Sequence, residues 1–174
     1  MNNLNEKLIN CFDSYKDFPQ EGILFRDVLP VLTDPQLLND LIESMASTKA
    51  ITNCEALVGI DARGFLFGTA IAIKTSKPLL LARKPGKLPG DLITNSYSLE
   101  YGTNTLCLQK KSIERFASYA IIDDLLATGG TASSVEKMLL EQNKEVTGLS
   151  VVVELEALGG SKLLNCEVFS QVKF

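Results

Sequence analysis

Short apolar runs alternate with longer segments of mixed polarity along most of this chain. Runs with the length and aliphatic content of buried strands lie at residues 56–60, 79–82, 120–122 and 145–154, and such runs are typical of parallel strands covered on both faces. Helices are predicted at residues 5–14, 35–48, 64–74, 131–142 and 158–163. The alternation predicts an α/β domain with a central, mainly parallel sheet flanked by helices.

Two segments depart from this alternation. Residues 18–30 contain proline and glycine and are expected to form an irregular, extended stretch. Residues 96–109 are predicted to form an antiparallel hairpin attached to the sheet, and hairpins of this kind often act as mobile covers. The start of the second helix is well marked, because Asp34 is a favourable N-cap and Pro35 suits the first turn.

The length and composition of the chain indicate one globular domain, residues 1–174. This length is sufficient for a buried core, and 45% of the residues are hydrophobic. The longest apolar run, residues 64–73, is about half of what a membrane span needs. The N-terminal segment has neither the basic start nor the apolar core of a signal peptide. We therefore expect a cytoplasmic protein that does not enter a membrane.

The absence of histidine from the sequence excludes several kinds of chemistry. Ser-His-Asp and Cys-His catalysis, histidine metal sites and histidine acid–base steps are all ruled out. The four cysteines are too far apart for local zinc ligation and are expected to be buried or half-buried free thiols. The net charge of −4 provides no positive surplus for nucleic acid, which we do not expect as a partner.

The most informative motif is AIIDDLLATGGT, residues 120–131. Asp123 and Asp124 follow the predicted strand, at the edge of the sheet where open α/β sheets bind ligands. The glycines and the free N–H groups of the next helix start favour a phosphate. The motif lacks the lysine of a Walker P-loop and the spacing of a Rossmann fingerprint. A phosphate site beside two carboxylates suits a sugar phosphate, because carboxylates accept hydrogen bonds from sugar hydroxyls.

Three other segments carry candidate chemistry, although each has a plainer interpretation when taken alone. Arg63 follows the strand at residues 56–60 and could bind phosphate oxygens through two parallel hydrogen bonds, or simply cap a surface turn. The cations of residues 83–87 could be solvated, or could face a pyrophosphate. Residues 19–27 form an extended segment whose Phe25 could stack on a purine or merely pack an N-terminal loop.

Taken together, these segments resemble the adenine phosphoribosyltransferases, a family within the type I phosphoribosyltransferases. The matching stretches are, in order, GILFRDVLPVLTDP, IDARGFLFG, ARKPGKLPG, SYSLEYGT and AIIDDLLATGGTA. The similarity covers about residues 18–154. GILFRD and YSLEYG are its specific elements, since the last motif is shared by enzymes for many bases. The resemblance implies a type I phosphoribosyltransferase-like fold with an N-terminal hood, about residues 15–33, and a flexible hairpin lid, about residues 83–109.

The resemblance implies an enzyme that transfers the 5-phosphoribosyl group of phosphoribosyl pyrophosphate (PRPP) to N9 of adenine. The products would be AMP and pyrophosphate, as in purine salvage. Mg²⁺ is implied as the cofactor, held mainly by pyrophosphate and ribose oxygens and water, and the chain is expected to be a homodimer. The implied adenine-binding residues are Leu24, Phe25, Arg26 and Leu125. The implied PRPP-binding residues are Arg63, Arg83, Lys84, Lys87, Asp123, Asp124, Ala127, Thr128, Gly129, Gly130 and Thr131.

The resemblance also implies three catalytic residues. Glu100 corresponds to the carboxylate that contacts N7 of adenine, and a carboxylate is a sensible acid–base partner in a chain without histidine. Tyr101 would help to close the lid against water, and Arg63 would face the pyrophosphate. A solvated hairpin glutamate is the alternative interpretation of Glu100. The basic loop, which contains Lys87, would reach towards the site of a neighbouring subunit.

Two other functions remain open from the sequence. One is a regulatory protein that senses PRPP or a purine on the same fold, although this acidic chain shows no DNA-binding module. The other is transfer to an oxopurine, which would want a donor such as lysine near position 6 of the base.

Overall fold

The computed structural model of the chain describes residues 3–18, 20–22, 24–99 and 102–174. The strands are β1 (Asp13–Lys16), β2 (Leu24–Asp27), β3 (Ala56–Ile60), β4 (Leu79–Ala82), β5 (Leu92–Leu99), β6 (Gly102–Gln109), β7 (Ser118–Leu126), β8 (Glu145–Glu154) and β9 (Val168–Lys173). The α-helices are α1 (Asn3–Cys11), α2 (Pro35–Ala46), α3 (Lys49–Asn53), α4 (Gly64–Thr75), α5 (Lys110–Ile113) and α6 (Gly130–Leu140). Short 3-10 helices lie at Leu29–Thr33, Glu156–Leu158 and Gly160–Leu163.

A five-stranded parallel sheet forms the centre of the molecule, in the order β4-β3-β7-β8-β9. Two antiparallel pairs, β1 with β2 and β5 with β6, lie outside it. The predicted α/β fold with a parallel central sheet and flanking helices is confirmed. The hairpin is attached through an isolated bridge between Arg83 and Cys107, at the end of β4.

Both faces of the central sheet are buried. Along β7, Ala120 and Ile122 join a core that includes residues of α1, α2 and α4, whereas Tyr119 and Ile121 join a core that includes residues of α6 and β6. Successive side chains of a strand point to opposite faces, so a strand covered on both sides is apolar throughout. This is the physical reason why the apolar runs in the sequence predicted the strands.

The bounds of β7 correct one prediction. The strand was expected to end at residue 122, but it continues through both aspartates to Leu126. The neighbour β3 pairs with it only as far as the pair Gly59 and Ile122, whereas β8 continues pairing to Glu154 opposite Leu126. Asp123 and Asp124 are therefore held in strand geometry by β8 on one edge of β7. Among the described residues, the opposite edge of β7 has no neighbouring strand beyond the end of β3.

Several other boundaries differ from the sequence prediction, for reasons of tertiary pairing. The first helix ends at Cys11 instead of residue 14, because residues 13–16 form a strand that pairs with β2. The strand β2 itself lies within residues 18–30, the stretch that was expected to be irregular. The strand β9 was not predicted, and residues 158–163 form parts of two 3-10 helices instead of one helix. Asp34 does cap α2, since its carboxylate accepts the N–H groups of Gln36 and Leu37.

The cysteines agree with a further expectation from the sequence. The four thiols are free, Cys54 and Cys107 are buried, and Cys11 and Cys166 are half-buried. Burial raises the pKa of the Cys54 thiol, which keeps it protonated and unreactive. In the described ranges, none of the helices has the length and apolar content that crossing a membrane requires.

Candidate active site at the carboxyl edge of the sheet

A cavity of about 290 Å³ lies where β7 extends past the end of β3. Its lining includes Asp61, Arg63, Lys84, Asp123, Asp124 and Thr131. A second cavity, of about 360 Å³, lies beside β4 and is lined mostly by apolar side chains such as Leu79, Leu108 and Phe116. The first cavity has the chemistry for a charged ligand, and it lies at the sheet edge where α/β folds bind ligands.

The loop from β7 to α6 has a backbone geometry that favours an anion. Gly129 has φ of 85°, a left-handed conformation that favours glycine, and α6 begins at the next residue. The first N–H groups of a helix lack partners within the helix and carry its positive dipole end. Thr131, in the first turn of α6, lines the cavity. The predicted residues 127–131 are thus brought together as one loop and helix start.

The two aspartates occupy different environments. Asp124 is buried and its carboxylate accepts a hydrogen bond from Nε of Arg63. Asp123 is half-buried, and its carboxylate accepts the backbone N–H of Asp124 at 2.9 Å. Burial, together with the negative charge of Asp124, raises the pKa of Asp123 well above its ordinary value. One carboxylate therefore has a built-in cationic partner, and the other lacks one of comparable strength.

Arg63 lies on a turn that packs closely against β7. A Cβ atom on the next residue, Gly64, would meet the carbonyl oxygen of Ile122 at 2.6 Å, so the turn can approach the strand only with glycine at that position. Burial alone lowers the pKa of Arg63, but the hydrogen bond to Asp124 and the nearby carboxylates, including Asp27, raise it overall. The side chain is 47% exposed, so an anion in the cavity can also reach it.

The three cations of the basic loop are placed differently. Nε of Arg83 is bonded to the carboxylate of Asp61 at 3.2 Å, and its guanidinium carbon lies 5.6 Å from the ring centre of Phe65. Lys84 is exposed and lines the cavity. Lys87 is exposed further along the loop and is not among the lining residues. The structure thus brings Lys84 to the cavity, whereas Arg83 does not line it and is bonded to the lining residue Asp61.

The predicted base-binding residues Leu24, Phe25 and Arg26 lie on β2, which pairs with β1 as a small two-stranded ribbon. The rings of Phe18 and Phe25 meet edge to face with centres 5.2 Å apart, and Leu24 is exposed. The guanidinium of Arg26 lies 4.3 Å from the ring centre of Phe174 and donates to Oγ of Ser14 at 2.6 Å. An open concavity, whose lining includes Phe18 and Phe25, runs along this ribbon.

The remaining site predictions divide into two groups. Leu125 lines the cavity, beyond the aspartates on β7. Glu100 and Tyr101, the predicted acid–base and lid residues, lie outside the described residues. Several cavity residues were not predicted from the sequence, among them Asp61 and the pair Tyr97 and Asn104, which face each other across the hairpin. Tyr97 is the first residue of the YSLEYG motif and Asn104 follows the motif by two residues, and this proximity was the signal that could have identified them.

Comparisons with known proteins agree with this geometry. A search of protein-family models finds none that matches the chain. A relative from Prochlorococcus marinus (strain MIT 9211), named adenine phosphoribosyltransferase, is 55% identical over 171 residues, which cover 98% of this chain and 99% of the relative. A relative of the same name from Mycoplasmopsis agalactiae is 45% identical, covering 91% of this chain and 94% of its own.

Solved structures give the same result. Adenine phosphoribosyltransferase from Thermoanaerobacter pseudethanolicus superposes with a TM-score of 0.90 at 36% identity, covering 97% of this chain and 99% of that one. The enzyme from Saccharomyces cerevisiae, complexed with adenine and an imino-altritol bisphosphate, has a TM-score of 0.87 at 33% identity, covering 97% and 98%. On this similarity over nearly its whole length, the chain belongs to the adenine phosphoribosyltransferase family.

Proposed function

We propose that this chain transfers the 5-phosphoribosyl group of PRPP to N9 of adenine, giving AMP and pyrophosphate. The observation that carries the proposal is a single cavity lined by Thr131 in the first turn of α6, by two carboxylates and by Arg63. Membership of the family supports a phosphoribosyl donor as the ligand of that cavity. The structure of the Saccharomyces cerevisiae adenine phosphoribosyltransferase, a protein of the same fold, was solved in complex with adenine. This complex supports adenine as the acceptor base.

The phosphoribosyl donor is proposed to bind across the loop and the two aspartates. The backbone N–H groups of residues 127–131 hold the 5-phosphate, and the hydroxyls of Thr128 and Thr131 add donors. Asp123 and Asp124 accept hydrogen bonds from the ribose hydroxyls. The cations Arg63 and Lys84 face the pyrophosphate, with Arg83 and Lys87 adding positive charge nearby.

The base is proposed to bind on the ribbon of β1 and β2. Phe25 stacks on adenine, and Leu125 packs on the other side of the base. The backbone groups of Leu24 and Arg26 pair with the edge of the ring. Because a strand exposes both N–H and C=O groups, it can donate to one edge atom and accept from the next.

The chemistry then follows from alignment and charge. As N9 of adenine displaces pyrophosphate, the anomeric carbon gains oxocarbenium character and negative charge grows on the leaving group. Arg63 and Lys84 stabilise that charge while the loop keeps the sugar in line. Glu100 is proposed to hold the proton of the imidazole ring at N7, and Tyr101 to exclude water.

Mg²⁺ is the proposed cofactor, and the donor set of the cavity fits a cation held chiefly by substrate oxygens and water. Within the described ranges, the acidic and cysteine side chains form no cluster of three or more that could hold a metal. Asp124 is already paired with Arg63, which leaves Asp123 to receive a hydrated cation. When bound, Mg²⁺ would neutralise charge on the pyrophosphate. A homodimer whose basic loop reaches the neighbouring site is part of the same proposal.

The test is product formation from PRPP and Mg²⁺ with adenine, hypoxanthine and guanine offered separately. AMP from adenine alone supports the proposal. Turnover of an oxopurine would contradict the base assignment but leave the PRPP site in place. PRPP binding without turnover of any base would favour the regulatory alternative.

The role of Glu100 is tested next with Glu100→Ala and Glu100→Gln. Both are expected to lower kcat by roughly a hundredfold, the usual contribution of a positioned acid or base, with a small change in the KM for PRPP. Glu114→Ala is the matched control, since Glu114 is an exposed glutamate after α5. Equal kcat in the Glu100 and Glu114 variants would assign Glu100 to the solvated surface.

A further inference from the structure

We propose that Gly160 is a positioning residue that holds the phosphate-binding loop in its binding conformation. This inference rests on the proposed function of the loop at residues 127–131. The turn at Gly159 and Gly160 packs on that loop backbone to backbone, with no side chain between them.

The contact leaves no room for a single methyl group on either side. A Cβ atom on Gly160 would overlap the carbonyl oxygen of Ala127 and lie 2.8 Å from the backbone nitrogen of Gly129. A Cβ atom on Gly129 would in turn overlap the carbonyl oxygen of Gly160. The neighbouring atoms are all backbone, and backbone cannot rotate away as the end of a side chain can. A larger residue at position 160 must therefore displace either the turn or the loop.

The turn is hydrogen-bonded to the elements on both sides of the loop. A larger residue at position 160 should therefore displace the loop and leave the turn in place. Before the turn, the N–H of Leu155 donates to the carbonyl of Leu126, the last residue of β7, at 2.9 Å. After the turn, the hydroxyl of Ser133 in α6 donates to the carbonyl of Leu163 at 3.3 Å. The segment that contains the turn is therefore hydrogen-bonded both to the end of β7 and to the first turns of α6. The phosphate loop connects these two elements and lies between the two hydrogen bonds.

The consequence is specific to ligands that carry a 5-phosphate. Misplacing the loop amides weakens several hydrogen bonds to the same phosphate, and a shift of about 1 Å at a binding group can change rates by roughly a hundredfold. Free adenine makes no contact with these amides in the proposed site. Gly160→Ala is therefore expected to weaken PRPP and AMP binding while leaving adenine binding unchanged.

Gly159→Ala is the matched control. Gly159 has φ of 64°, so alanine there also strains the backbone, but its Cβ would meet only the flexible side chain of Lys162, at 3.7 Å. The two variants thus carry the same chemical change in the same turn, and only one of them touches the loop. Thermal denaturation of both variants shows how much stability each loses.

The experiment measures AMP and adenine binding by calorimetry, and kcat and the KM values for PRPP and adenine by steady-state kinetics. For Gly160→Ala we expect at least a tenfold rise in the Kd for AMP and in the KM for PRPP, with the KM for adenine within twofold of the wild type. General loss of folded protein would lower kcat per molecule and leave both KM values unchanged. Wild-type AMP affinity in Gly160→Ala, or an equal loss in Gly159→Ala, would overturn the inference.

Two further measurements keep the test decisive. If Gly160→Ala does not fold, Ser133→Ala removes the hydrogen bond that anchors the turn to α6 and is expected to raise the Kd for AMP about threefold; an unchanged Kd overturns the proposal. If the wild type turns over no base, the proposed function fails, but binding of ribose 5-phosphate to the wild type and Gly160→Ala still tests the positioning role.

Discussion

The phosphate end and the base end of the proposed site are built in opposite ways. The phosphate loop continues a strand that is central in the sheet, and it packs on the turn at Gly160 through backbone atoms. The base end is a ribbon of two four-residue strands, and all four residues of β1 are exposed. Its contacts are made by side chains, chiefly Phe18 on Phe25 and Arg26 on Phe174.

This difference determines how each end responds to change. A two-stranded ribbon is marginally stable by itself, and each aromatic or cation–π contact contributes only about 0.5–1.5 kcal/mol. The base end should therefore lose affinity in small, separable steps. The phosphate end has its donors fixed before the ligand arrives, which is what electrostatic stabilisation of a transition state requires. A single substitution at the phosphate end should therefore have a large effect on binding and rate.

The largest effect is expected from Arg63→Ala, at the phosphate end. Loss of a charge-assisted contact to the leaving group should lower kcat/KM for PRPP by roughly a hundred- to a thousandfold. The buried carboxylate of Asp124 also loses its partner; because Arg63 is half exposed and water screens the pair, we expect a loss of only about 1–2 kcal/mol of stability.

Steady-state kinetics and thermal denaturation measure the two losses. Arg63→Lys, which keeps the charge without the planar fork, should recover the stability better than the rate. A kcat/KM within threefold of the wild type in Arg63→Ala would remove Arg63 from the proposed site.

The next effect is expected at the base end, from Phe25→Ala. Stacking of a base on an aromatic ring contributes about 1–3 kcal/mol, so the KM for adenine should rise by roughly ten- to a hundredfold while the KM for PRPP stays constant. Phe25→Leu keeps the apolar volume but has no aromatic face, so its KM for adenine should rise nearly as much as that of Phe25→Ala. If both KM values rise together, the two ends of the site are coupled and do not respond independently.

A smaller effect concerns the pH dependence of stability at the phosphate end. The raised pKa of Asp123 means that the folded protein binds this proton more tightly than the unfolded chain does. Its contribution to stability is therefore fully present below its unfolded pKa, about 3.9, and is lost as the pH rises through the folded pKa.

Thermal denaturation of Asp123→Asn tests this prediction. The amide keeps the acceptor for the N–H of Asp124 but cannot ionise. The Tm of the variant minus that of the wild type should grow as the pH is raised from about 4, by about 3–5 °C for each unit of pKa shift. Asp91→Asn, in an exposed loop, is the control. A difference that shrinks with rising pH would mean that the folded pKa of Asp123 is lowered instead of raised.

The smallest effect is expected from Phe174→Ala. Arg26 loses the ring over which it lies but keeps its hydrogen bond to Ser14. The KM for adenine should rise about threefold, the equivalent of about 0.7 kcal/mol from a half-exposed cation–π contact. Phe174→Tyr, which keeps an aromatic face, should retain wild-type kinetics. An effect on PRPP but not on adenine would show that Arg26 supports the phosphate end instead.

Much of this protein was determined by the sequence itself. The strands at Ala56–Ile60, Leu79–Ala82 and Glu145–Glu154 have the bounds that the apolar runs predicted, and Asp34 caps α2 as expected. These signals are local, since burial on both faces of a strand and capping of a helix depend on a few adjacent residues. The family could be identified for the same reason, because its motifs are short continuous segments.

Only the tertiary structure decided where some strands end, which strands pair and how the phosphate loop is packed. The extension of β7 to Leu126 and the strand β9 depend on pairing with residues about twenty to thirty positions away in the sequence. The same is true of Gly160, which contacts the phosphate loop across about thirty residues of chain. Pairing and close packing depend on which backbones become neighbours in space, and no local pattern in the sequence carries that information.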